Sequence, residues 1–121
     1  MKFTTDKQEK YVLIRLHEEN LNSMISPDMK AEFILLSNQG YKNILLDLSE
    51  TQYCDSSGLS AILIGNRLCK SAEGSFVLSG LQDAVKKMIS ISQLDKVLLI
   101  VPTTGEAVDY LFMEEVEKGL K

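Results

Sequence analysis

Short apolar runs alternate with longer, helically spaced apolar patterns along most of this chain. Tyr11-Val12-Leu13-Ile14-Arg15-Leu16 is rich in β-branched and aromatic residues and predicts a strand. Phe3 to Asp6 predicts a short edge strand before it, and the polar turn Asp6-Lys7-Gln8-Glu9 would let the two pair as a hairpin. Ile44 to Leu48 is almost wholly apolar, as expected of a strand covered on both faces. Ser75 to Leu78 and Val97 to Val101 repeat that signal, and Pro102 ends the second of them. Between the first two strands and Ile44, Met29, Phe33 and Leu36 recur at helical spacing. The preceding Ser26-Pro27-Asp28 offers a capping hydroxyl, a proline at the first helical position and an acid in the first turn. Gly40 suits the left-handed position that closes such a helix.

A second helical pattern runs from Leu59 to about Ser71. Leu59, Ile62 and Leu63 share a face, and Ala61, Ile64 and Leu68 extend around it, so this helix is buried on two sides or forms half of a contact surface. Glu73-Gly74 closes the unit. Leu81, Ala84, Val85, Met88 and Ile89 follow the spacing of an amphipathic helix, with Ser79 and Gln82 at capping-box spacing before it. Thr103 and Glu106 offer a second capping box, ahead of a last helix marked by Val108, Leu111 and Phe112. The charged tail Glu114 to Lys121 is expected to fray. His17 to Ile25 reads as polar and irregular. The order is therefore β-β-α-β-α-β-α-β-α, an α/β fold with a mixed, mainly parallel sheet flanked by helices and joined by right-handed crossovers. No internal repeat, low-complexity tract or linker breaks it, and a single domain over residues 1–121 is expected.

Composition narrows the function classes. At 121 residues, 45% hydrophobic and 25% charged, the chain has the make-up of an ordinary globular protein and can build a core without disulfides or metals. Its net charge of −4 and the lack of any dense Lys/Arg cluster argue against nucleic-acid binding by phosphate neutralisation. No apolar run approaches the roughly 20 residues needed to span a bilayer. Met-Lys-Phe-Thr-Thr-Asp has no apolar signal core, so the expected location is the cytoplasm, away from the membrane. Cys54 and Cys69 form no CxxC pair and are expected to be free thiols, Cys69 as a small core or interface residue. With His17 as the one histidine and no metal-ligand cluster, neither a metal nor a cofactor is expected.

The segment Tyr53-Cys54-Asp55-Ser56-Ser57-Gly58-Leu59 carries the most chemistry. The pattern predicts that a strand hands over here to a helix, with two hydroxyls at the helix start. Unpaired N–H groups and a partial positive charge make such a start a good anion site. Serine, aspartate and glycine are also ordinary capping residues, and spacing leaves both readings open. Asp55 is either the hinge of an Asx-type turn or a recognition residue. Asp47 is placed to hold backbone donors at a strand end. Met24 and Met29 belong either to the core or to a partner surface. Catalysis has little to stand on: GxGxxG, Walker A and GxSxG patterns are missing. A nucleophilic Ser56 would need a base, and His17 in a polar loop brings no oxyanion element with it. Glu18-Glu19 and Glu114-Glu115 read as solvated charge runs.

The strand–Asp55-Ser56-Ser57-Gly58-Leu59–helix unit resembles the phosphorylation segment of STAS domains, specifically the bacterial anti-sigma factor antagonists. Asp47-Leu48-Ser49 resembles the family's strand end before that site. Ala84-Val85-Lys86-Lys87-Met88-Ile89 and Ile91-Ser92-Gln93-Leu94 resemble its third helix and the following turn, and Ala107 falls in the expected last helix. The resemblance covers about Lys10 to Phe112. It implies a non-enzymatic protein that binds an anti-sigma factor of serine-kinase type and so frees a sigma factor. It implies phosphorylation of the first hydroxyl after the aspartate, here Ser56, with Ser57 as second choice, and reversal by a serine phosphatase. Asp55, Ser56, Ser57, Gly58, Leu59 and Asn22 are the partner-binding residues it implies. One stretch departs from the family: His17-Glu18-Glu19-Asn20-Leu21-Asn22-Ser23 lacks the usual glycine and aspartate, with Asn22 in the aspartate's place. That departure keeps a second reading in play, a STAS interaction module that works without phosphorylation. A small-ligand or nucleotide-binding domain is the third.

Overall fold

The computed structural model describes residues 2–119. In chain order the elements are β1 (Phe3–Lys7), β2 (Val12–Leu16), β3 (Asn20–Leu21), α1 (Ser26–Asn38), β4 (Ile44–Asp47), β5 (Tyr53–Cys54) and α2 (Ser56–Ser71). Then follow β6 (Phe76–Ser79), α3 (Asp83–Ile91), a 3-10 turn at Leu94–Lys96, β7 (Leu99–Val101) and α4 (Thr104–Gly119). Five strands form one sheet in the order β1-β2-β4-β6-β7. Only the β1–β2 hairpin is antiparallel; β2–β4, β4–β6 and β6–β7 run parallel, each joined through a helix. The alternation read from the sequence thus becomes a mixed, mainly parallel sheet.

Strand parity decides which side each residue serves. Val12, Ile14, Leu16, Ile44, Leu46, Phe76 and Leu78 point to one side, where they pack with Met29, Phe33 and Leu36 of α1, Leu59 and Ile62 of α2, and Val85 and Ile89 of α3. Leu45 and Val77 point to the other, where Ala107 of α4 covers them. Both faces of β4 and β6 are therefore buried, which is why those strands read as continuous apolar runs rather than alternating ones. Cys69 is core, as expected, and the methionine pair divides: Met29 is fully buried and Met24 exposed.

Several local expectations are corrected. The polar stretch after β2 contains β3, a two-residue strand that pairs in parallel with β5, and its Leu21 and Ile25 are buried. Ser26 does not cap α1; it lies inside the first turn, and its Oγ donates to the Asn22 carbonyl at 2.8 Å. Ser79 and Gln82 do not form a capping box. The Ser79 hydroxyl pairs with Thr104 Oγ1 at 3.2 Å from the end of β6, and Gln82 Nε2 donates to the Ser49 carbonyl at 2.8 Å. The last strand is shorter than predicted and half-buried at the sheet edge, because Val97 closes the 3-10 turn and faces out. α4 runs to Gly119, where Asn43 Nδ2 donates to Glu115 Oε1 and Lys118 Nζ to the Glu73 carbonyl, and residues 120–121 of the expected tail lie outside the described residues. The Thr103 hydroxyl does cap α4, accepting the Glu106 N–H at 3.1 Å.

Candidate functional site

Leu48 and Thr51 anchor the loop that leaves β4. Both are fully buried, and Thr51 Oγ1 donates to the Glu18 carbonyl at 2.9 Å. The N–H groups of Gln52 and Tyr53 both donate to the Glu19 carbonyl, and the Asp55 N–H donates to the Leu21 carbonyl at 3.2 Å. With the β3–β5 ladder, these bonds stitch the segment before α2 to the loop after β2. Asp55 then caps α2. Its backbone is extended, and Oδ1 accepts the Gly58 N–H at 3.0 Å and the Ser57 hydroxyl at 2.8 Å. Both sequence readings of Asp55 start from this geometry, since a capping carboxylate that stays exposed also presents charge.

The two serines differ. Ser56 is the first residue of α2 and is exposed, and its hydroxyl has no hydrogen-bond partner among the described residues. Ser57 is half-buried, committed to Asp55, and lies 3.5 Å from Ser26 Oγ at the start of α1. The N-terminal ends of α1 and α2 therefore converge beside Ser56, and both bring the positive end of their dipoles there. Gly58 and Leu59, expected as partner contacts, are instead buried. Leu59 belongs to the core, and Gly58 is where α2 presses on β3. A β-carbon on Gly58 would stand 2.3 Å from the Leu21 carbonyl oxygen and 2.7 Å from Cys54 Sγ.

Asn22 lies on the same edge. Its Oδ1 accepts the Met24 N–H at 3.0 Å, so the amide closes a local turn. Two shallow depressions share Asn20 and Asn22. One, of about 220 Å³, runs on to Tyr53, Cys54 and Asp55, and the other runs to Glu18, Glu19 and Met24. Tyr53 and Met24 are 57% and 76% exposed, which makes them the apolar features nearest the serines. Tyr53 was not singled out from the sequence as a surface residue. Its signal was the alternation with buried Cys54, which two residues are too few to establish.

Three ionisable groups near this edge, His17, Cys54 and Asp47, are tied up by their surroundings. His17 is no free loop residue: its Nδ1 bonds Glu50 at 2.8 Å and its Nε2 bonds Thr4 Oγ1 at 3.1 Å, which leaves neither ring nitrogen for Ser56. Burial, and then the charge of Asp55, push the Cys54 thiol up to about 12, so it stays neutral and unreactive. Asp47, at the end of β4, accepts Ser49 N–H on Oδ1 and Arg15 and Thr104 on Oδ2 at 2.9–3.0 Å. Among the described residues no group of three or more His, Cys, Asp or Glu side chains is placed to hold a metal ion. Among the described residues no helix is long and apolar enough to cross a membrane.

These carboxyls give the fold an acid limit. Burial raises the Asp47 pKa, but the hydrogen bonds from Ser49, Thr104 and Arg15 outweigh it and hold the group below 3.8. The Gly58 N–H and the Ser57 hydroxyl hold Asp55 below its ordinary value too. A depressed carboxyl stabilises the fold above its unfolded pKa, and that contribution is lost as pH falls through the lower, folded value. Melting temperature should therefore be insensitive to these two groups from pH 5 upward and fall below about pH 4. Asp47→Asn should lose about 1–3 kcal/mol at pH 7, with the gap from wild type closing in acid. Thermal melts of both proteins from pH 2 to 8 check this; a gap that stays constant into acid would refute it.

Comparison with known proteins gives the frame for these features. The family model described as "Mlab, STAS domain" matches residues 3–102. A Thermotoga neapolitana protein provisionally described as an anti-sigma factor antagonist is 35% identical over 72 residues, 60% of this chain and 64% of that protein. The chain thus spans just under two thirds of that relative. A Thermotoga maritima protein of the same provisional description is 33% identical over 81 residues, 67% of each chain. The crystal structure of a Thermotoga maritima protein, again provisionally an anti-sigma factor antagonist, superposes with a TM-score of 0.81 at 27% identity, covering 90% of this chain and 93% of that one. The family model and these relatives agree: the chain belongs to the STAS domain family of anti-sigma factor antagonists.

Proposed function

We propose that this protein is an anti-sigma factor antagonist, acting in the cytoplasm by binding rather than by catalysis, and that Ser56 is its switch. Its partner is an anti-sigma factor that is also a serine kinase. In the unmodified state the edge formed by Asn22, Met24, Tyr53, Asp55 and Ser56 docks on that partner, which releases the sigma factor. Phosphate on Ser56 ends the contact, and a serine phosphatase restores it. The observation that carries this reading is the contrast between the serines. Ser56 offers an unbonded, exposed hydroxyl, while Ser57 is held by Asp55. Incubation with the cognate kinase and ATP should add the mass of one phosphate to wild type and none to Ser56→Ala. Equal labelling of that variant would move the site to another hydroxyl.

A phosphorylation-independent interaction module is the second reading, favoured by one feature. The Asn22 amide, which replaces the family's aspartate, is already bonded to the Met24 backbone and offers a kinase no carboxylate. Under this reading wild type takes up no phosphate and Ser56→Asp binds the partner unchanged.

A further inference from the structure

The last helix carries a surface that the Ser56 edge does not use. Ala107 and Leu111 bury one side of α4 against the sheet. On the opposite side Phe112, Met113 and Val116 are 46%, 64% and 61% exposed. Val116 lies three residues on from Met113 and four from Phe112, so the three form one strip along the last turns of the helix. The Phe112 ring is already ordered, edge-on to Tyr11 with centroids 6.4 Å apart. Contiguous exposed apolar residues rimmed by polar ones are a feature of interaction surfaces.

Charge says what covers it. Lys42 and Lys10 act on Glu115 from outside the helix; along α4 itself five carboxylates, those of Glu106, Asp109, Glu114, Glu115 and Glu117, stand with one lysine of the helix, Lys118, which donates to the Glu73 carbonyl. That excess equals the net charge of the whole chain, −4, so the rest of the molecule is balanced. Glu106, Asp109 and Glu117 are exposed and rim the strip. A second copy of the same face, or an anionic lipid surface, would bring like charge against it. The α4 face also lies across the sheet from the core cluster that includes α2, and the family match stops at residue 102, before α4 begins.

We propose that the outer face of α4 docks a cationic amphipathic helix of a partner protein, independently of the state of Ser56. The partner helix lays its apolar stripe on Phe112, Met113 and Val116 while its lysines or arginines meet the acidic rim. Isothermal titration of the full chain tests this with a synthetic Leu/Lys amphipathic helical peptide, its Leu/Glu counterpart, and a Ser/Lys peptide of equal charge. The Leu/Lys peptide should bind one to one and weaken with salt. The Leu/Glu peptide should not bind, and the Ser/Lys peptide should bind at least about tenfold more weakly. Met113→Gln/Val116→Gln, at exposed positions, should keep its melting temperature and lose about tenfold in affinity. Asp109→Asn/Glu117→Gln should flatten the salt dependence, and Ser56→Asp should leave the affinity unchanged. Equal binding of the Leu/Lys peptide by the Met113/Val116 variant, or failure of that peptide to bind wild type, overturns the proposal. So does a wild-type dimer in sedimentation that Val116→Lys dissolves, because the face would then belong to a second copy.

Discussion

Gly58→Ala is expected to destabilise the domain by about 2–4 kcal/mol, although alanine is the better helix former. The new methyl group would sit 2.3 Å from the Leu21 carbonyl oxygen, 2.7 Å from Cys54 Sγ and 2.9 Å from Leu21 Cγ. The first of these is backbone held in the β3–β5 ladder, so no side-chain rotation relieves it. Either α2 moves off β3 or the ladder opens, and both strain the bond from the Gly58 N–H to Asp55. For a domain of this size the loss corresponds to a fall in melting temperature of roughly 5–15 °C. Gly105→Ala is the control. A β-carbon there meets nothing closer than the Thr103 hydroxyl at 3.8 Å, so that variant should melt at or slightly above wild type. If thermal melts show Gly58→Ala as stable as wild type, the close contact between the start of α2 and β3 is not what positions Ser56.

The parts of the fold legible in the sequence were those with repetition behind them. β2 presents four apolar residues in five, β4 and β6 three consecutive apolar residues each, and α1 and α3 repeat their apolar face at helical spacing. The Asp55 cap was one of two readings the sequence left open, because a carboxylate three residues before an N–H at a helix start is a local matter that a recognition role does not exclude. What escaped was short or depended on distant partners. β3 and β5 have two residues each, and Leu21 and Ile25 are too few apolar positions to set a period in a polar stretch. The failed caps have a common cause. Ser26 and Ser79 have the residue type and spacing of caps, but each hydroxyl found another partner: Ser26 the Asn22 carbonyl four residues earlier, and Ser79 the distant Thr104. Gly58 looked like a recognition residue because its motif is contiguous. Its actual neighbour, Leu21, is distant in sequence, and only the pairing of β3 with β5 brings the two together.

Phosphate on Ser56 is expected to weaken partner binding by about a hundredfold or more, roughly 3 kcal/mol, with little change in melting temperature. The two outcomes have separate causes. Stability is preserved because the added charge of about −1.5 to −2 sits in water at the first residue of α2, beside the start of α1, where both helix dipoles favour it. Asp55 opposes this only partly, since its Oδ1 is turned inward to the Gly58 N–H and the Ser57 hydroxyl. Binding is lost because the same phosphate would have to shed its water against the partner at the centre of the contact, next to an ionised carboxylate. Ser57→Ala makes the comparison sharper. It removes a bond to Asp55 without touching the exposed hydroxyl, so it should lower stability modestly, by about 0.5–1.5 kcal/mol, and leave Ser56 open to modification. Titration of the partner against unmodified and phosphorylated protein, with melts of both, separates the causes. A fall in affinity accompanied by an equal loss of stability would mean that the phosphate acts by unfolding the start of α2, and the direct electrostatic switch would have to be abandoned.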